Sequence, residues 1–314
     1  MTGLRIGTRA SALALVQAEH VADLLRDGGA EVEVVPITTS GDRGRLLGDK
    51  SRWVKELEAA LLADEVDVAV HSAKDVPAEL PDGFALAGVP ARADARDALC
   101  GAASLEELPS GAVVGTSSLR RAAELRALRP DIGVVALRGN VDTRLQKLAE
   151  GRAAAIVLAV AGLERLDRGA AIGAVLDQLV PAPGQGALAL ETRADDPVAR
   201  AAAAAISDGD AAACLAAERA LVRRLGATCH TPLGAHAVRL GDGGMRLQSF
   251  VGLPDGSAWL RDELSAAAGI DPETFGVAAA TRLLAAGAAE LLASAEQAGA
   301  GSPPPASTPD GVPL

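Results

Sequence analysis

Short runs rich in β-branched residues alternate with helical patterns from residue 4 to about residue 190, and this alternation limits the possible folds most strongly. LRIG precedes a long amphipathic pattern, EVEVVPI is followed by KELEAALL, and VDVAV, AVVG, IGVVAL and AAIVLAV continue the series. Strands that alternate with helices form βαβ units and mainly parallel sheets. The sequence therefore predicts an α/β protein whose first part is doubly wound.

Two segments rich in Pro, Gly and Ala predict that the chain passes twice between two α/β domains with a cleft between them. They are residues 88–98 and 180–187. After about residue 205 the pattern changes to a small α+β domain, with a long helix predicted over 271–297 and Asp271 as its N-cap. The predicted domains are residues 1–90 with 187–204, residues 91–186, and residues 205–298, followed by a disordered tail at 299–314.

Composition excludes several classes of function. The chain is 49% hydrophobic, as expected for a globular protein with a core, and its formal net charge of −11 argues against non-specific nucleic-acid binding. The longest apolar run, AAAIVLAVAGL, is too short to cross a bilayer. The N-terminus has no credible signal-peptide cleavage site, and the few cysteines favour a cytoplasmic protein.

Arginines recur where a predicted strand gives way to a helix. The carboxyl ends of strands face the ligand crevice in open α/β sheets, and helix N-termini there already attract anions. A single arginine in this place is usually solvated, but three such placements favour a bound polyanion, because arginine pairs well with carboxylates and phosphates. The positions are Arg9; Arg120 and Arg121, after Thr116, Ser117 and Ser118; and Arg138, followed by Arg144 and Lys147.

The motif VHSAKDVP places Lys74 and Asp75 after a further strand, which Pro77 ends. The simpler interpretation is a surface ion pair of little energetic value. In a loop, however, both side chains can face the cleft, and a carboxylate among arginines stays ionised. Asp75 is therefore a candidate for stabilising a cationic intermediate, and its position alone leaves both interpretations open.

The three cysteines are too few and too scattered for a disulfide framework, and no spacing indicates a zinc site. Cys214 belongs to a helical apolar stripe and Cys100 ends a predicted strand, so we expect both to be buried. Cys229 lies in the loop GATCHTPLG, and its direct neighbour His230 is poorly placed for a Cys–His dyad. From the residues alone, Cys229 is either a reactive thiol or without function.

Taken together, the motifs resemble the porphobilinogen deaminase family, also called hydroxymethylbilane synthases. The resemblance runs from residue 4 to about residue 295 and rests on RIGTRASALAL, TSGD, KELEAALL, VDVAVHSAKDVPAELP, VVGTSSLRR, LRGNVDTRLQKL, IVLAVAGLERL, PAPGQGAL and the cysteine loop with PLG. It implies two domains like periplasmic binding proteins and a small third domain. It also implies an enzyme of tetrapyrrole biosynthesis that joins four porphobilinogen molecules head to tail into hydroxymethylbilane and releases ammonia at each addition.

The same resemblance implies a dipyrromethane primer held by a thioether to Cys229. Each pyrrole carries an acetate and a propionate, so the growing chain is a polyanion, and Asp75 is expected to stabilise the cationic intermediate. The residues expected to bind the cofactor are Lys74, Thr116, Ser117, Ser118, Arg120, Arg121, Arg138 and Arg144, and those expected to bind substrate are Arg9, Ser11 and Arg165. A monomer that binds neither metal, nucleic acid nor membrane is expected.

The sequence departs from the family in the stretch before KELE, which is shorter than usual and lacks a clear counterpart of a family lysine. Trp53 stands where the family usually has Phe. We interpret residues 42–55 as a mobile lid in which Arg43, Arg45 and Lys50 compensate.

Two other functions compete with this interpretation. One is a non-catalytic two-domain anion-binding protein, against which Cys229 and Asp75 count. The other is an acyl- or phosphoryl-transfer enzyme that uses Cys229. The sequence has no P-loop and no persuasive base beside the thiol, and both absences count against this second alternative.

Overall fold

The computed structural model describes residues 3–37, 51–228 and 231–301, and the strands in these ranges form three sheets. The strands are β1 (Leu4–Arg9), β2 (Val32–Ile37), β3 (Val68–Ser72), β4 (Phe84–Gly88), β5 (Asp97–Cys100), β6 (Val113–Gly115), β7 (Gly133–Val135), β8 (Ala155–Ala159), β9 (Ala174–Leu176), β10 (Leu188–Arg193), β11 (Leu233–Arg239), β12 (Met245–Gly252) and β13 (Trp259–Ala266).

The helices lie between these strands and at the C-terminal end of the described chain. They are α1 (Ala12–Asp27), α2 (Ser51–Leu62), α3 (Leu119–Leu128), α4 (Val141–Ala149), α5 (Val160–Arg165), α6 (Pro197–Ala205), α7 (Gly209–Leu225), α8 (Pro272–Ala285) and α9 (Ala288–Gly301). Two short 3-10 turns, Ala73–Asp75 and Gly169–Ala171, complete the set.

The first sheet has the strand order β2-β1-β3-β10-β4. Its first three strands are parallel, whereas β10 runs antiparallel to both β3 and β4. Helix α1 packs on one face, where Val21 and Leu25 join the core around Ile6. Helix α2 covers the opposite face, where Leu57 and Leu61 join a second core. Both faces are buried by helices, as in doubly wound folds.

The second sheet has the corresponding order β7-β6-β8-β5-β9. Strands β6, β7 and β8 are parallel, and β5 is antiparallel to its neighbours β8 and β9. Leu125 of α3 is buried on one face and Leu163 of α5 on the other. The chain thus leaves the first sheet after β4 and returns to it at β10, and it crosses in the two segments where crossovers were predicted.

The third sheet is an antiparallel meander of β11, β12 and β13. It packs against α7 and α8 through a core that contains Leu221, Leu247 and Phe275. Cys214 of α7 is part of this core, and Cys100 of β5 has no exposed surface, so both cysteines are buried as predicted. The predicted fold class, α/β with a small α+β part at the C-terminal end, is confirmed. The domain boundaries stay predictions.

The helix predicted over 271–297 was wrong as a single element. It begins as expected, because Asp271 caps α8 by accepting from Thr274 N and Pro272 occupies its first position. It stops at Ala285, and α9 continues at an angle of 79°. Gly287 between them has a φ of +98°, a backbone conformation that does not occur within a right-handed helix.

Within the described ranges, no single helix is long and apolar enough to cross a membrane. The bent pair α8 and α9 reaches the required length and apolar composition only when its two helices are counted together.

Candidate active site

A pocket opens at the carboxyl ends of β1 and β3. Arg9, Ser11, His71, Ser72 and Asp75 line it, together with apolar side chains from α1 and α2. Parallel strands end at a common edge, so residues that follow β1 and β3 meet here although more than sixty positions separate Arg9 from Asp75. Three of the sequence-predicted residues, Arg9, Ser11 and Asp75, are brought together by this edge.

Asp75 is positioned by a sharp end to β3. After Ser72 the backbone forms the 3-10 turn Ala73–Asp75, closed by a 3.2 Å hydrogen bond from Val76 N to the carbonyl of Ala73. Pro77 follows and prevents the turn from continuing as a helix. Lys74 and Asp75 are both half-buried rather than fully solvated. The turn therefore presents a carboxylate to the pocket from a short and constrained piece of backbone.

Helix α1 starts at the same edge. Ser11 is its N-cap and accepts a 3.4 Å hydrogen bond from Ala14 N. Gln17, one turn further along, is buried and donates from Nε2 to Ser72 Oγ at 2.9 Å. This hydrogen bond joins α1 to the end of β3 directly beside the turn that carries Asp75. Ser11 has a structural role as a cap, and its predicted contact with substrate stays a prediction.

The corresponding edge of the second sheet carries Thr116, Ser117 and Ser118. Ser117 Oγ donates to the carbonyl of Leu137 at 2.7 Å, and Ser118 caps α3 by accepting from Arg121 N at 3.4 Å. Thr116 Oγ1 accepts from Ser118 N at 3.2 Å. These polar groups thus have partners within the protein, which fix the loop before α3.

Arg120 and Arg121 lie inside the protein, 3% and 6% exposed. Arg120 Nη2 and Arg121 Nη2 each contact the carboxylate of Asp97 at 2.7 Å, and Arg120 Nη1 contacts Glu124 at 2.7 Å. The backbone carbonyls of Val180 and Val157 accept further hydrogen bonds from the two guanidinium groups. The predicted binding of cofactor carboxylates by these two arginines stays a prediction, and the structure gives them internal partners that the sequence did not reveal.

Burial and neighbouring charges together explain why pKa values in this buried network differ from their usual ranges. Burial alone would raise the pKa of Asp97, but the guanidinium groups of Arg120 and Arg121 outweigh burial and hold that pKa well below its usual range. Burial lowers the pKa of Arg121 and raises that of Glu124. Asp97 is thus an anion at neutral pH, and it is the principal counter-charge for two buried cations.

Gln185 connects this network to the turn that carries Asp75, and no role was predicted for it from the sequence. It is 1% exposed and donates from Nε2 to the carbonyl of Ala95 at 2.7 Å and to Asp97 Oδ1 at 2.8 Å. Its Oε1 accepts from Lys74 Nζ at 3.3 Å. The sequence did contain a signal for such a role, because Gln185 stands between two glycines in PGQG. Glycines that flank a polar residue indicate that another part of the protein approaches the backbone closely.

Arg138, Arg144 and Lys147 lie on the loop before α4 and on that helix. Arg138 is exposed, Arg144 Nε donates to the carbonyl of Gly139 at 2.7 Å, and Lys147 Nζ donates to the carbonyl of Arg138 at 3.0 Å. Burial, and then the nearby positive charge of Arg121, lowers the pKa of Arg144 to about 10. Arg144 therefore stands in an environment that is short of negative charge.

Arg165 ends α5 and donates from Nη2 to the carbonyl of Gly186 at 3.0 Å. Burial lowers its pKa. Within the described ranges, neither Arg144 nor Arg165 forms an ion pair with a carboxylate. Half-buried guanidinium groups with only carbonyl partners provide places where the carboxylates of a ligand would be favoured.

Cys229 and His230 lie outside the described residues, as do Arg43, Arg45 and Lys50 of the predicted lid. The residues on either side of the cysteine loop are defined. Helix α7 ends at Leu225, and its C-cap Gly226 adopts the left-handed conformation with a φ of +64°. Thr228 N donates to Thr231 Oγ1 at 2.9 Å. The described cysteines are not candidate nucleophiles, because burial raises the pKa of Cys100 and of Cys214 to about 11.

Comparison with known proteins decides the family. Residues 4–201 match the family model described as "Porphobilinogen deaminase, dipyromethane cofactor binding domain", and residues 212–285 match "Porphobilinogen deaminase, C-terminal domain". This chain belongs to the porphobilinogen deaminase family. The first of the two matches also shows that the chain contains the cofactor-binding domain of these deaminases.

Curated relatives agree over nearly the whole chain. The porphobilinogen deaminase of Thiobacillus denitrificans is 50% identical over 303 residues, which cover 93% of this chain and 98% of that protein. The porphobilinogen deaminase of Thermus thermophilus is 46% identical over 294 residues, which cover 92% and 97%. The likeness therefore extends through all three sheets and both crossovers.

More distant likeness is found among solved structures of periplasmic binding proteins. The second substrate-binding domain of a putative amino acid ABC transporter from Streptococcus pneumoniae is 14% identical with a TM-score of 0.44, and covers 72% of this chain and 95% of that chain. The methionine-binding protein MetQ is 17% identical with a TM-score of 0.43, and covers 69% and 94%.

Among the described residues of this deaminase, no cluster of three or more His, Cys, Asp or Glu could hold a metal ion.

Proposed function

We propose that this deaminase joins four porphobilinogen molecules head to tail in the cleft bounded by the first two sheets, with Asp75 as the central catalytic carboxylate. The family assignment makes the chain a hydroxymethylbilane synthase, an enzyme of tetrapyrrole biosynthesis that releases ammonia at each addition. The observation that supports Asp75 most directly is its position in one pocket with Arg9 and Ser11 at the shared edge of β1 and β3.

Asp75 acts through its charge. Loss of ammonia from the aminomethyl group of a bound porphobilinogen leaves a cationic methylene-pyrrole. An ionised carboxylate at a fixed position stabilises that cation most strongly when little solvent has to reorganise around it, and a half-buried carboxylate on a short turn meets this condition. The same carboxylate accepts a hydrogen bond from the pyrrole N–H. Arg9 of the same pocket binds an acetate or propionate of the substrate.

The residues around the cleft fit an acidic cofactor. Arg144 and Arg165 are half-buried cations with carbonyl partners only among the described residues, and Arg138 is an exposed cation on the adjoining loop. Dipyrromethane carries four carboxylates, so Arg138 and Arg144 would hold it, with Lys74 closer to Asp75, whereas Arg165 would bind a carboxylate of the substrate. When bound, it supplies the free pyrrole position to which substrate is added.

Arg120 and Arg121 support this site from within. Because Asp97 and Glu124 already balance their charges, we assign them first to the rigid positioning of α3 and its N-terminal loop, where Ser117 and Ser118 lie. Arg121 also raises the positive potential at Arg144, which strengthens the attraction for a carboxylate there. Their contribution to cofactor binding is therefore mainly electrostatic.

We assign the covalent attachment of the cofactor to Cys229. Two supports are its position in the family motif and the burial of the other two cysteines, whose raised pKa values disfavour a thiolate. A thioether tether makes each addition effectively intramolecular with respect to the growing chain. The cytoplasm and a monomeric state without nucleic-acid or membrane partners stay predictions.

Intact-protein mass spectrometry tests the attachment. The wild type, expressed with substrate available, should carry the added mass of two pyrrole units, and Cys229→Ser should not. Cys214→Ala is the matched control and should keep the added mass, because Cys214 is buried in the core of the third sheet. An unmodified wild-type chain would refute both the attachment and the enzymatic assignment.

Asp75→Asn tests the catalytic carboxylate, because it keeps the size of the side chain and removes the charge. We expect the variant to retain the primer in the mass spectrum and to lose about 10²- to 10⁴-fold in turnover. Asp82→Asn, on the exposed loop that follows, should match the wild type. Normal turnover of Asp75→Asn would remove Asp75 from the mechanism.

A further inference from the structure

A buried cluster of ionisable groups lies directly behind the Asp75 pocket. His71 lines that pocket, and its Nε2 lies 2.8 Å from Oε2 of Glu191. The two side chains are 5% and 0% exposed. The contact has the distance of an ion pair without the alignment of a hydrogen bond, and Oε1 of Glu191 has no hydrogen-bond partner among the described residues. A buried carboxylate with so few partners is costly unless a charge compensates it.

The strand register explains why these side chains meet. In the antiparallel pair of β3 and β10, His71 lies opposite Ala189 and Glu191 lies opposite Ala69. His71 and Glu191 are therefore diagonal neighbours on one face of the sheet. That face is covered by α2, whose Leu57 and Leu61 exclude water from it.

A second carboxylate faces the same place. Glu58 of α2 is 6% exposed, and burial, followed by the negative charge of Glu191, raises its pKa, while the positive charge of His71 opposes the increase. Two carboxylates and one imidazole thus occupy one dry region, where a positive charge on the imidazole would be stabilised by the carboxylates beside it. The charged groups that act on it from the surrounding elements are Lys55 and Glu58 of α2, Glu191 of β10, Arg219 of α7 and, in the pocket, Asp75 and Arg9.

Resting on the catalytic role proposed for this pocket, we propose that His71, held by Glu191, accepts the proton released in each condensation. When a pyrrole ring attacks the methylene carbon, a C–C bond forms, the C–H bond at the attacking position breaks, and its electron pair restores the aromatic ring. The proton passes to the imidazole of His71 and then leaves with ammonia as ammonium. No oxidant or further reactant is required.

The geometry suits this role. Nε2 faces Glu191 and His71 lines the pocket, so we assign proton exchange with the pocket to the other ring nitrogen, Nδ1. A carboxylate 2.8 Å from an imidazole nitrogen stabilises the imidazolium when the proton arrives. Asp75 then serves only to stabilise the cation, so the two functions are divided between two groups of one pocket.

The experiment uses porphobilinogen that carries deuterium at its free ring position, with the primer-loaded enzyme. His71→Gln should lower kcat about 10²-fold, leave KM within about twofold, and show a primary isotope effect larger than that of the wild type, because breaking the C–H bond becomes rate-limiting. His20→Gln, on the exposed surface of α1, is the matched control and should behave like the wild type. A lower kcat with an unchanged isotope effect would overturn the proposal.

Two further variants keep the test decisive if His71→Gln folds poorly. Glu191→Gln should also show a primary isotope effect larger than that of the wild type, and the double variant of His71 and Glu191 should be no slower than the slower single variant, because the two residues act as a unit. Additive losses would overturn the pairing. If Asp75→Asn is fully active, the proposed function itself fails; if Asp75→Asn is inactive while the isotope effects of these variants equal that of the wild type, only this inference fails.

Nuclear magnetic resonance provides a measurement independent of turnover. The chain has only four histidines, so ¹⁵N-histidine labelling gives a simple spectrum. The resonance that disappears in His71→Gln is assigned to His71. We expect a slowly exchanging imidazole N–H resonance for His71 in the wild type and its loss in Glu191→Gln. Persistence of that resonance in Glu191→Gln would show that Glu191 does not hold the proton.

Discussion

Arg121 Nη2 lies 2.7 Å from Oδ1 of Asp97, in a buried ion pair that joins the first turn of α3 to the start of β5. Asp97 has no exposed surface, so its charge depends on the guanidinium groups beside it. Removing one member of a buried ion pair leaves the other charge uncompensated, which typically costs about 3–5 kcal/mol.

Asp97→Asn should therefore lower the free energy of unfolding by about 3–5 kcal/mol in urea titrations. Asp142→Asn is the control, because Asp142 pairs with Arg168 at 2.9 Å on the surface, where both side chains are about half exposed. We expect that change to cost no more than about 1 kcal/mol. Equal losses in the two variants would contradict the assignment of a buried network.

The pH dependence of stability should carry the signature of Asp97. Its pKa in the folded chain is lowered, so the unfolded chain binds the proton first as the solution is acidified. The stabilisation is complete above the unfolded pKa of about 3.9 and is lost as the pH falls through the folded value. Urea titrations at decreasing pH should show a steeper loss for the wild type than for Asp97→Asn. Parallel curves would argue against this ionisation.

Arg138→Leu and Arg121→Leu should separate ligand binding from folding. Arg138 is exposed, so its loss should change the unfolding free energy by no more than about 0.5 kcal/mol while weakening primer retention or elongation in the mass spectrum. Arg121 is buried against Asp97, so its loss should lower stability by several kcal/mol and disturb the primer as well. Wild-type elongation in both variants would refute the binding of a polyanion by these residues.

Gly184 places the backbone of the second crossover against the turn that carries Asp75. Its φ is +73°, and a Cβ there would lie 2.8 Å from the carbonyl carbon of Ala73 and 2.9 Å from Lys74 N. Gly184→Ala should displace the turn and reduce turnover at least about tenfold. Gly151→Ala is the control, because Gly151 has the same φ of +73° with nothing within 4 Å of the added Cβ. It should lose stability without losing turnover.

Much of the fold followed from local patterns in the sequence. The alternation of strands and helices and the N-cap Asp271 are set by residues next to one another in the chain. The insertion of β10 between β3 and β4 was not predicted, because no local signal identifies the strands with which LALETR pairs. The break between α8 and α9 was not predicted, because one glycine within a helical pattern does not by itself indicate the end of a helix.

The candidate site was predictable only where its residues follow strands that the sequence pattern itself reveals. Arg9 and Asp75 could be placed together because both follow parallel strands of one sheet. The burial of Arg120 and Arg121 could not be foreseen, since Asp97 lies 23 and 24 positions away on another element. His71 and Glu191 were missed for the same reason, because only the register of β3 and β10 brings them into contact.

The late return of β10 has a consequence for synthesis on the ribosome. Strand β3 and strand β4 do not pair with each other; each pairs with β10, which begins at residue 188. All five strands of the second sheet are translated before β10 emerges. All strands of the second sheet can therefore pair while β3 and β4 of the first sheet still lack their common partner. Unpaired strand edges promote aggregation, so a chaperone that binds the nascent chain would protect it most during this interval.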